Sequence, residues 1–214
     1  MENIITINGI TKTFKDNVVL DNVSISFERN KIHGIIGRNG SGKTVLIKTI
    51  CGFYKPDSGD VIIDGKIIGK DIDFPSNVGA IIEAPGFVPT LSAYKNLCYL
   101  ASIKNVIKKD RISETMRSVG LDPENKKSVG KYSLGMKQRL GIAQAIMEEP
   151  DILILDEPMN ALDTEGVEII RNLLLRYRDD GHTIILISHN REDIDILCDT
   201  VSLMERGKII PMIN

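Results

Sequence analysis

Cysteine is scarce, and its placement excludes two classes of protein. The three present, Cys51, Cys98 and Cys198, are odd in number and show no Cys-x-x-Cys spacing. They read as reduced packing residues of a cytosolic protein, not as a disulfide frame or a zinc site. Excess positive charge is missing too. Lys and Arg number 27 against 29 Asp and Glu, a net charge of −2, and no long basic field is offered to nucleic acid. No apolar run approaches the ~20 residues that a membrane-spanning helix needs, so at a membrane another chain would have to do the spanning. The opening residues MENIITING lack a basic segment followed by an apolar core, and no signal peptide is expected. Internal repeats, low-complexity linkers and heptad arrays are also absent. What remains is ordinary: 42% hydrophobic and 26% charged residues in 214, enough for one domain or a domain with a small lobe.

Two kinds of strand pattern follow. VSISFE (23–28) alternates Val23, Ile25 and Phe27 with Ser24, Ser26 and Glu28, the period of a sheet with one wet face. In contrast KIHGIIG (31–37), DILILD (151–156) and TIILIS (183–188) are continuous apolar runs, as in parallel strands covered on both sides. Between such runs lie helical patterns. In EGVEIIRNLLLRYRDDG, Val167, Ile170, Leu174 and Tyr177 share a face and Gly181 marks the stop. This alternation predicts an α/β layered core. Residues 90 to 148 show no convincing strand and read as mostly helical, with IKNVIKKDR and DPENKKS as solvated turns. His33, inside a strand, and His182, in the turn DDGHT, read as structural or surface residues.

The chemistry begins at GRNGSGKT (37–44), which matches G-x-x-x-x-G-K-[ST], follows the apolar strand 32–36 and precedes the amphipathic run TVLIKTICG. Such a loop turns successive N–H groups toward phosphate oxygens at a helix N-terminus, where the dipole favours anions. Lys43 is placed to reach the β- and γ-phosphates and Thr44 to ligate Mg²⁺. With glycine at ~7% of residues, a chance match somewhere in such a chain is roughly a one-in-a-hundred event before context is counted. ILILDEP (152–158) supplies the second half: Asp156 ends a strand where a carboxylate can hold Mg²⁺, and Glu157 is placed to polarise an attacking water. An acidic turn after a strand would be the plainer reading of that motif by itself; beside the phosphate loop it is not. Two further elements discriminate among phosphate-loop proteins. YSLGMKQRLGIAQAI (132–146) begins with a Ser and a Gly and runs into a helix, and LISHN (186–190) ends a core strand on His189, placed to donate to a γ-phosphate, although a histidine after a strand is by itself more often structural.

The order of these elements resembles the ATP-binding subunit of an ABC transporter over nearly the whole chain. GRNGSGKT resembles the Walker A loop (Gly37, Asn39, Gly40, Ser41, Gly42, Lys43, Thr44, with Val45 following), ILILDEP the Walker B strand, YSLGM the signature motif, NALD (160–163) the D-loop and His189 the switch histidine. The resemblance implies a phosphate-loop NTPase core, a mostly parallel sheet with flanking helices, joined to an antiparallel β lobe and a helical insert. It implies a single ABC ATPase domain over 1–214, with lobe and core at about 1–88 and 149–214 and a helical subdomain at about 89–148. ATP and Mg²⁺ are the implied cofactors. Glu157 is the implied catalytic base, assisted by Lys43 and His189, and the metal falls to Thr44, Asp156 and Glu83. In that family ATP is clamped between two subunits, so Ser133 and Gly135 would hold the γ-phosphate bound by a second copy and Asp163 would couple the two sites. Phe14, in TKTFKD, stands where the family stacks an aromatic on adenine; a core aromatic of a strand is the other reading.

Glu83 is where this sequence departs most usefully. VGAIIEAPGF (78–87) ends an apolar strand on a lone carboxylate, whose plain reading is a solvated strand end. The family places a glutamine there, in a loop that senses Mg²⁺ and water and touches the membrane subunit. A carboxylate can still ligate metal but adds charge beside a triphosphate, an interaction of at most a few kcal/mol at an effective dielectric near ~20. Glu83 is therefore expected to tune hydrolysis or its coupling without abolishing it. With YSLGMKQRL it resembles the bacitracin-resistance and lantibiotic-immunity exporters, whose signatures often vary; here Leu134, Met136 and Ala161 depart from the usual residues. Downstream of Glu83, Pro85, Phe87, Val88 and Pro89 form a short apolar stretch; the resemblance implies that the Glu83–Pro89 region lines the groove receiving a helix of a polytopic membrane subunit, and a packed loop between lobes is the other reading. The resulting expectation is a cytoplasmic ATPase, peripheral on the inner face of the membrane, powering peptide-antibiotic export through ATP-driven dimerisation. A kinase or GTPase would need an acceptor site or an N-K-x-D-like element, which is absent. A soluble ABC ATPase acting on DNA or the translation machinery usually has two cassettes or long coiled coils. A non-hydrolysing binding module does not need Lys43, Asp156, Glu157 and His189 together.

Overall fold

The computed structural model describes residues 2–83 and 86–212. Two sheets organise it. Strands β1 (Asn3–Phe14) and β2 (Asn17–Glu28) form a long antiparallel hairpin, which continues through β4 (Ser58–Ile63) into the short β5 (Lys66–Ile67) in the order β2-β1-β4-β5. The alternation of VSISFE holds here: Val23 and Phe27 are buried, while Ser24 and Ser26 are exposed. The second sheet has six strands in the order β10-β9-β3-β8-β7-β6. Of these β3 (Ile32–Ile36), β6 (Val78–Ile81), β7 (Ile152–Asp156), β8 (Thr183–Ile187) and β9 (Thr200–Glu205) run parallel to their neighbours, and β10 (Lys208–Met212) closes one edge antiparallel to β9.

The continuous apolar runs are explained by the two cores that this sheet separates. Side chains alternate across a strand. Leu153, Leu155, Ile184 and Leu186 therefore enter a core shared with the helices, while Ile152, Ile154, Ile185 and Ile187 enter a core shared with the antiparallel lobe. With every position of β8 buried, no wet face is left to alternate. Each of the fully buried Ile and Leu side chains contributes about 1.5–3 kcal/mol of transfer free energy.

Helix α1 (Lys43–Ile50) follows β3 and packs Leu46, Ile47 and Ile50 into the lobe-side core. Between β6 and β7 the chain is helical: α2 (Ala93–Lys104), α3 (Lys109–Ser118) and α4 (Leu134–Ile146). The segment IKNVIKKDR is thus only partly a turn, because Lys109–Arg111 already form the first turn of α3; Ile112 and Met116 are buried there and pull the polar start into a helix. DPENKKS is irregular, as expected. Gly79 of β6 lets α4 approach: a Cβ there would lie 2.0 Å from the Ala145 carbonyl oxygen. Helices α5 (Thr164–Asp179) and α6 (Arg191–Leu197) follow β7 and β8. No helix among the described residues is long and apolar enough to cross a membrane.

Candidate functional site

Three parallel strands end side by side, and their C-terminal ends place the chemistry. The loop leaving β3 reaches α1 through Gly42, whose φ of 109° is closed to other residues; a Cβ there would also lie 2.8 Å from the Val19 carbonyl oxygen. Asn39, Gly40, Gly42, Lys43, Thr44 and Val45 line one side of a cleft of about 330 Å³, and Asp156 and Glu157, from the end of β7, line the other. Lys43 is buried and folds back on its own loop, donating to the carbonyls of Gly37 at 2.7 Å and Arg38 at 3.1 Å. Ser41, in the same loop, keeps a buried hydroxyl that finds no hydrogen-bond partner among the described residues. An orphaned donor in a loop at a helix N-terminus fits an anion, since leaving it unmatched costs about 1–3 kcal/mol.

Thr44 Oγ1 donates to Asp156 Oδ2 at 3.2 Å, bringing the two oxygen ligands expected of a Mg²⁺ site together from α1 and β7. The Asp156 carboxyl is pushed above its ordinary range, first by burial, then by the charges of Glu157 and Glu83, against the Thr44 hydrogen bond and Lys43. A desolvated carboxylate among other acids is an anion short of a counter-cation, and this donor set suits a hard divalent ion. Glu157 has a left-handed backbone (φ 52°) with its N–H on the Ile187 carbonyl at 2.9 Å. Its Oε1 lies 2.8 Å from Nδ1 of His189, which follows β8. The two side chains are thus fixed against each other, Glu157 mostly covered and His189 largely exposed.

The signature residues lie elsewhere. Ser133 caps α4, its Oγ accepting from the Met136 N–H at 3.2 Å, and Gly135 packs so closely on the D-loop that a Cβ would stand 2.6 Å from the Ala161 carbonyl oxygen. Together with Asp163 they line a second cleft, of about 400 Å³. Asp163 caps α5 through the Gly166 N–H at 3.0 Å and accepts from Arg139 Nη2 at 2.7 Å; those two contacts, in that order, hold its carboxyl below the usual range. One chain therefore holds these two groups of residues in separate clefts. Their internal link is Gln138 of α4, whose Nε2 donates to the carbonyls of Glu157 and Pro158 at 3.3 and 3.1 Å. Neither Gln138 nor Arg139 stood out in the sequence, although they lie five and six residues after Ser133, on the helix it caps.

Phe14 and Glu83 are placed less simply. Phe14, at the end of β1, is 38% exposed, so it is not a core aromatic. It meets Tyr54 edge-on at 5.2 Å, with Lys12 Nζ 5.6 Å from its ring, outside the lining of the phosphate cleft. Strand β6 ends at Ile81, and Glu83 follows in a left-handed conformation (φ 62°). Its carboxylate is bound to Lys48 Nζ at 2.8 Å and not to Thr44 or Asp156. Pro85 lies outside the described residues. Beyond it Phe87 packs on the helical core, Val88 is exposed, and buried Asn96 of α2 clasps the Val88 backbone through both its amide groups.

Comparison with known proteins agrees with this geometry. The family described as ABC transporter matches residues 20–160. An uncharacterized ABC transporter ATP-binding protein of Bacillus subtilis, YybJ, is 45% identical over 96% of this chain and 94% of its own. The bacitracin transport ATP-binding protein BcrA of Bacillus licheniformis is 40% identical over 98% of this chain and 69% of its own length, and the lantibiotic transport ATP-binding protein SrtF of Streptococcus pyogenes 34% over 97% and 89%. Among solved structures, the dimeric bacterial ABC transporter cassette MJ0796 superposes with a TM-score of 0.86 at 24% identity, covering 96% of both chains, a likeness of fold. With its phosphate loop, acidic strand end and signature helix in this arrangement, the chain belongs to the ABC transporter family, as an ATP-binding subunit and an ATPase.

Proposed function

We propose that this ATPase drives a membrane exporter of peptide antibiotics of the bacitracin or lantibiotic type, as a cytoplasmic subunit peripheral to the inner face of the membrane, and that ATP pairs it with a second copy of itself. The observation that carries the pairing is the separation of Ser133, Gly135 and Asp163 from the phosphate cleft of the same chain. A γ-phosphate held by Lys43 and Ser41 in one copy then meets the Ser133 hydroxyl and the N-terminus of α4 of the other, where the helix dipole favours the anion. The cargo reading rests on the relatives BcrA and SrtF, which are transport ATP-binding proteins for bacitracin and a lantibiotic.

In hydrolysis, Lys43 exchanges its two loop carbonyls for phosphate oxygens, and the first-turn N–H groups of α1 take the rest of the charge. Thr44 and Asp156 would hold Mg²⁺, which would supply positive charge to offset that of the phosphate oxygens. Glu157 orients the attacking water and takes its proton, and His189 keeps that carboxylate facing the cleft. Coupling to transport falls to the Glu83–Pro89 segment, which we assign to docking of the membrane subunit. The test is purification of the tagged chain from detergent-solubilised membranes of its source. Recovery of a polytopic protein that lacks its own ATPase domain is the expected outcome; recovery with ribosomes or DNA-repair factors alone would overturn the transport assignment and leave the nucleotide chemistry standing.

A further inference from the structure

The residue that Glu83 actually touches is Lys48, and nothing in the nucleotide chemistry above gives Lys48 a task. We propose that Lys48 is a positioning residue of the hydrolytic site: it captures the Glu83 carboxylate and keeps it off Thr44 and Asp156. The proposal rests on the ATPase reading of that site.

The geometry makes lysine the anchor and glutamate the held partner. Lys48 lies on α1 four residues after Thr44, one turn on and on the same face. Its side chain is only 20% exposed, whereas that of Glu83 is 64% exposed. The ammonium also lies 5.8 Å from the centre of the Tyr54 ring, and the Lys48 carbonyl accepts from the Phe53 N–H at 2.9 Å, which fixes the end of α1. Glu83 has no comparable fixation. It hangs from an irregular, left-handed residue beyond β6, and Lys48 is its only salt-bridge partner among the described residues.

The charges around the pair show what it does. Three acids, Glu83, Asp156 and Glu157, gather at the ends of adjacent strands β6 and β7, and only Asp156 and Glu157 belong to the cleft lining. Lys43, the other nearby ammonium, is committed to the phosphate loop. Without Lys48 the third acid stands uncompensated beside a site that must accept a triphosphate. A freed Glu83 is also a competing ligand for the hard cation that Thr44 and Asp156 are arranged to hold. The influence of Glu83 on Asp156 already appears, after burial and Glu157, among the forces that disfavour the charged form of Asp156.

The experiment is a double-mutant cycle on steady-state ATP hydrolysis by the purified full chain, with Mg²⁺ titrated at saturating ATP: wild type, K48M, K48R, E83Q and K48M/E83Q. K48M is expected to lower kcat several-fold and to shift the Mg²⁺ concentration for half-maximal rate. K48R, which keeps the charge, is expected to stay within about twofold of wild type. Removing Glu83 as well should restore most of what K48M loses, because no charge then needs holding. Independent, multiplying effects of the two substitutions, or a K48R as impaired as K48M, would overturn the proposal. If K48M does not fold, K48R and the labelling of Lys48 by an acetylating reagent decide the matter: Lys48 should react several-fold faster in folded E83Q than in folded wild type, and equal reactivity counts against the pair. A wild-type chain that hydrolyses no ATP would refute the ATPase reading instead, a result separable from all of these.

Discussion

A single buried imidazole shows how much one side chain is constrained in this molecule. His33, 3% exposed on β3, places Nε2 2.8 Å from the Glu28 carbonyl and Nδ1 2.7 Å from Thr200 Oγ1. A carbonyl only accepts, so Nε2 carries the hydrogen and the neutral ring accepts at Nδ1 from the Thr200 hydroxyl. Burial pushes the His33 pKa below its ordinary 6.5, outweighing the Glu28 carbonyl that favours the charged form. The folded state therefore binds fewer protons than the unfolded one just below pH 6.5. Stability from this group is complete above 6.5 and is lost as pH falls toward the lowered folded value. Melting curves from about pH 7.5 to about pH 5 should show wild type losing more than H33Q. Parallel losses in the two proteins would contradict this assignment. Legibility at the residue scale divides along the same line. Lys43, Thr44, Asp156 and Glu157 could be read from the sequence because a short motif brings each to a strand end. The Lys48–Glu83 pair could not, since 35 residues separate its members and each is unremarkable alone.

Between elements, one buried ion pair ties α5 to α6, the helix that follows His189. Arg171 of α5 sends Nε and Nη2 to Asp193 Oδ1 of α6 at 2.9 and 2.6 Å, and Nη2 also to Glu192 at 3.0 Å. Asp193 is fully buried and its second oxygen has no partner among the described residues, so the pair depends on Arg171. Helix α6 begins two residues after His189, with Asn190 as its cap. R171M should cost about 3 kcal/mol in denaturant unfolding, because it strands a buried charge, while R171M/D193L should recover most of the loss. A loss below about 0.5 kcal/mol in R171M would show the pair to be unimportant. The sequence foretold β3, β7 and β8 well, because strands covered on both faces leave an unbroken apolar record. It foretold the first turn of α3 badly: Lys109, Asp110 and Arg111 look like a solvated turn, and only packing of Ile112 and Met116 makes them helical.

For the molecule as a whole, the proposed pairing turns on how the two clefts divide the residues. On the proposed function the phosphate cleft would bind a triphosphate and activate water, yet no signature residue lines it. The second cleft offers a helix N-terminus, the Ser133 hydroxyl and Asp163 without any phosphate loop. Arg139 and Gln138 bind the signature helix to the D-loop and to the turn after Asp156, so α4 bridges the two clefts. A second copy, turned head to tail, would complete both. The measurement that tests this most directly is the mass of the E157Q chain by light scattering, with and without ATP and Mg²⁺. Loss of the base should slow hydrolysis by about a hundredfold or more while leaving nucleotide binding intact, so that the ATP-bound form accumulates. Adding ATP should shift the 23.7 kDa chain to twice that mass, and removing it should reverse the shift. A chain that binds ATP tightly and stays at 23.7 kDa would contradict it.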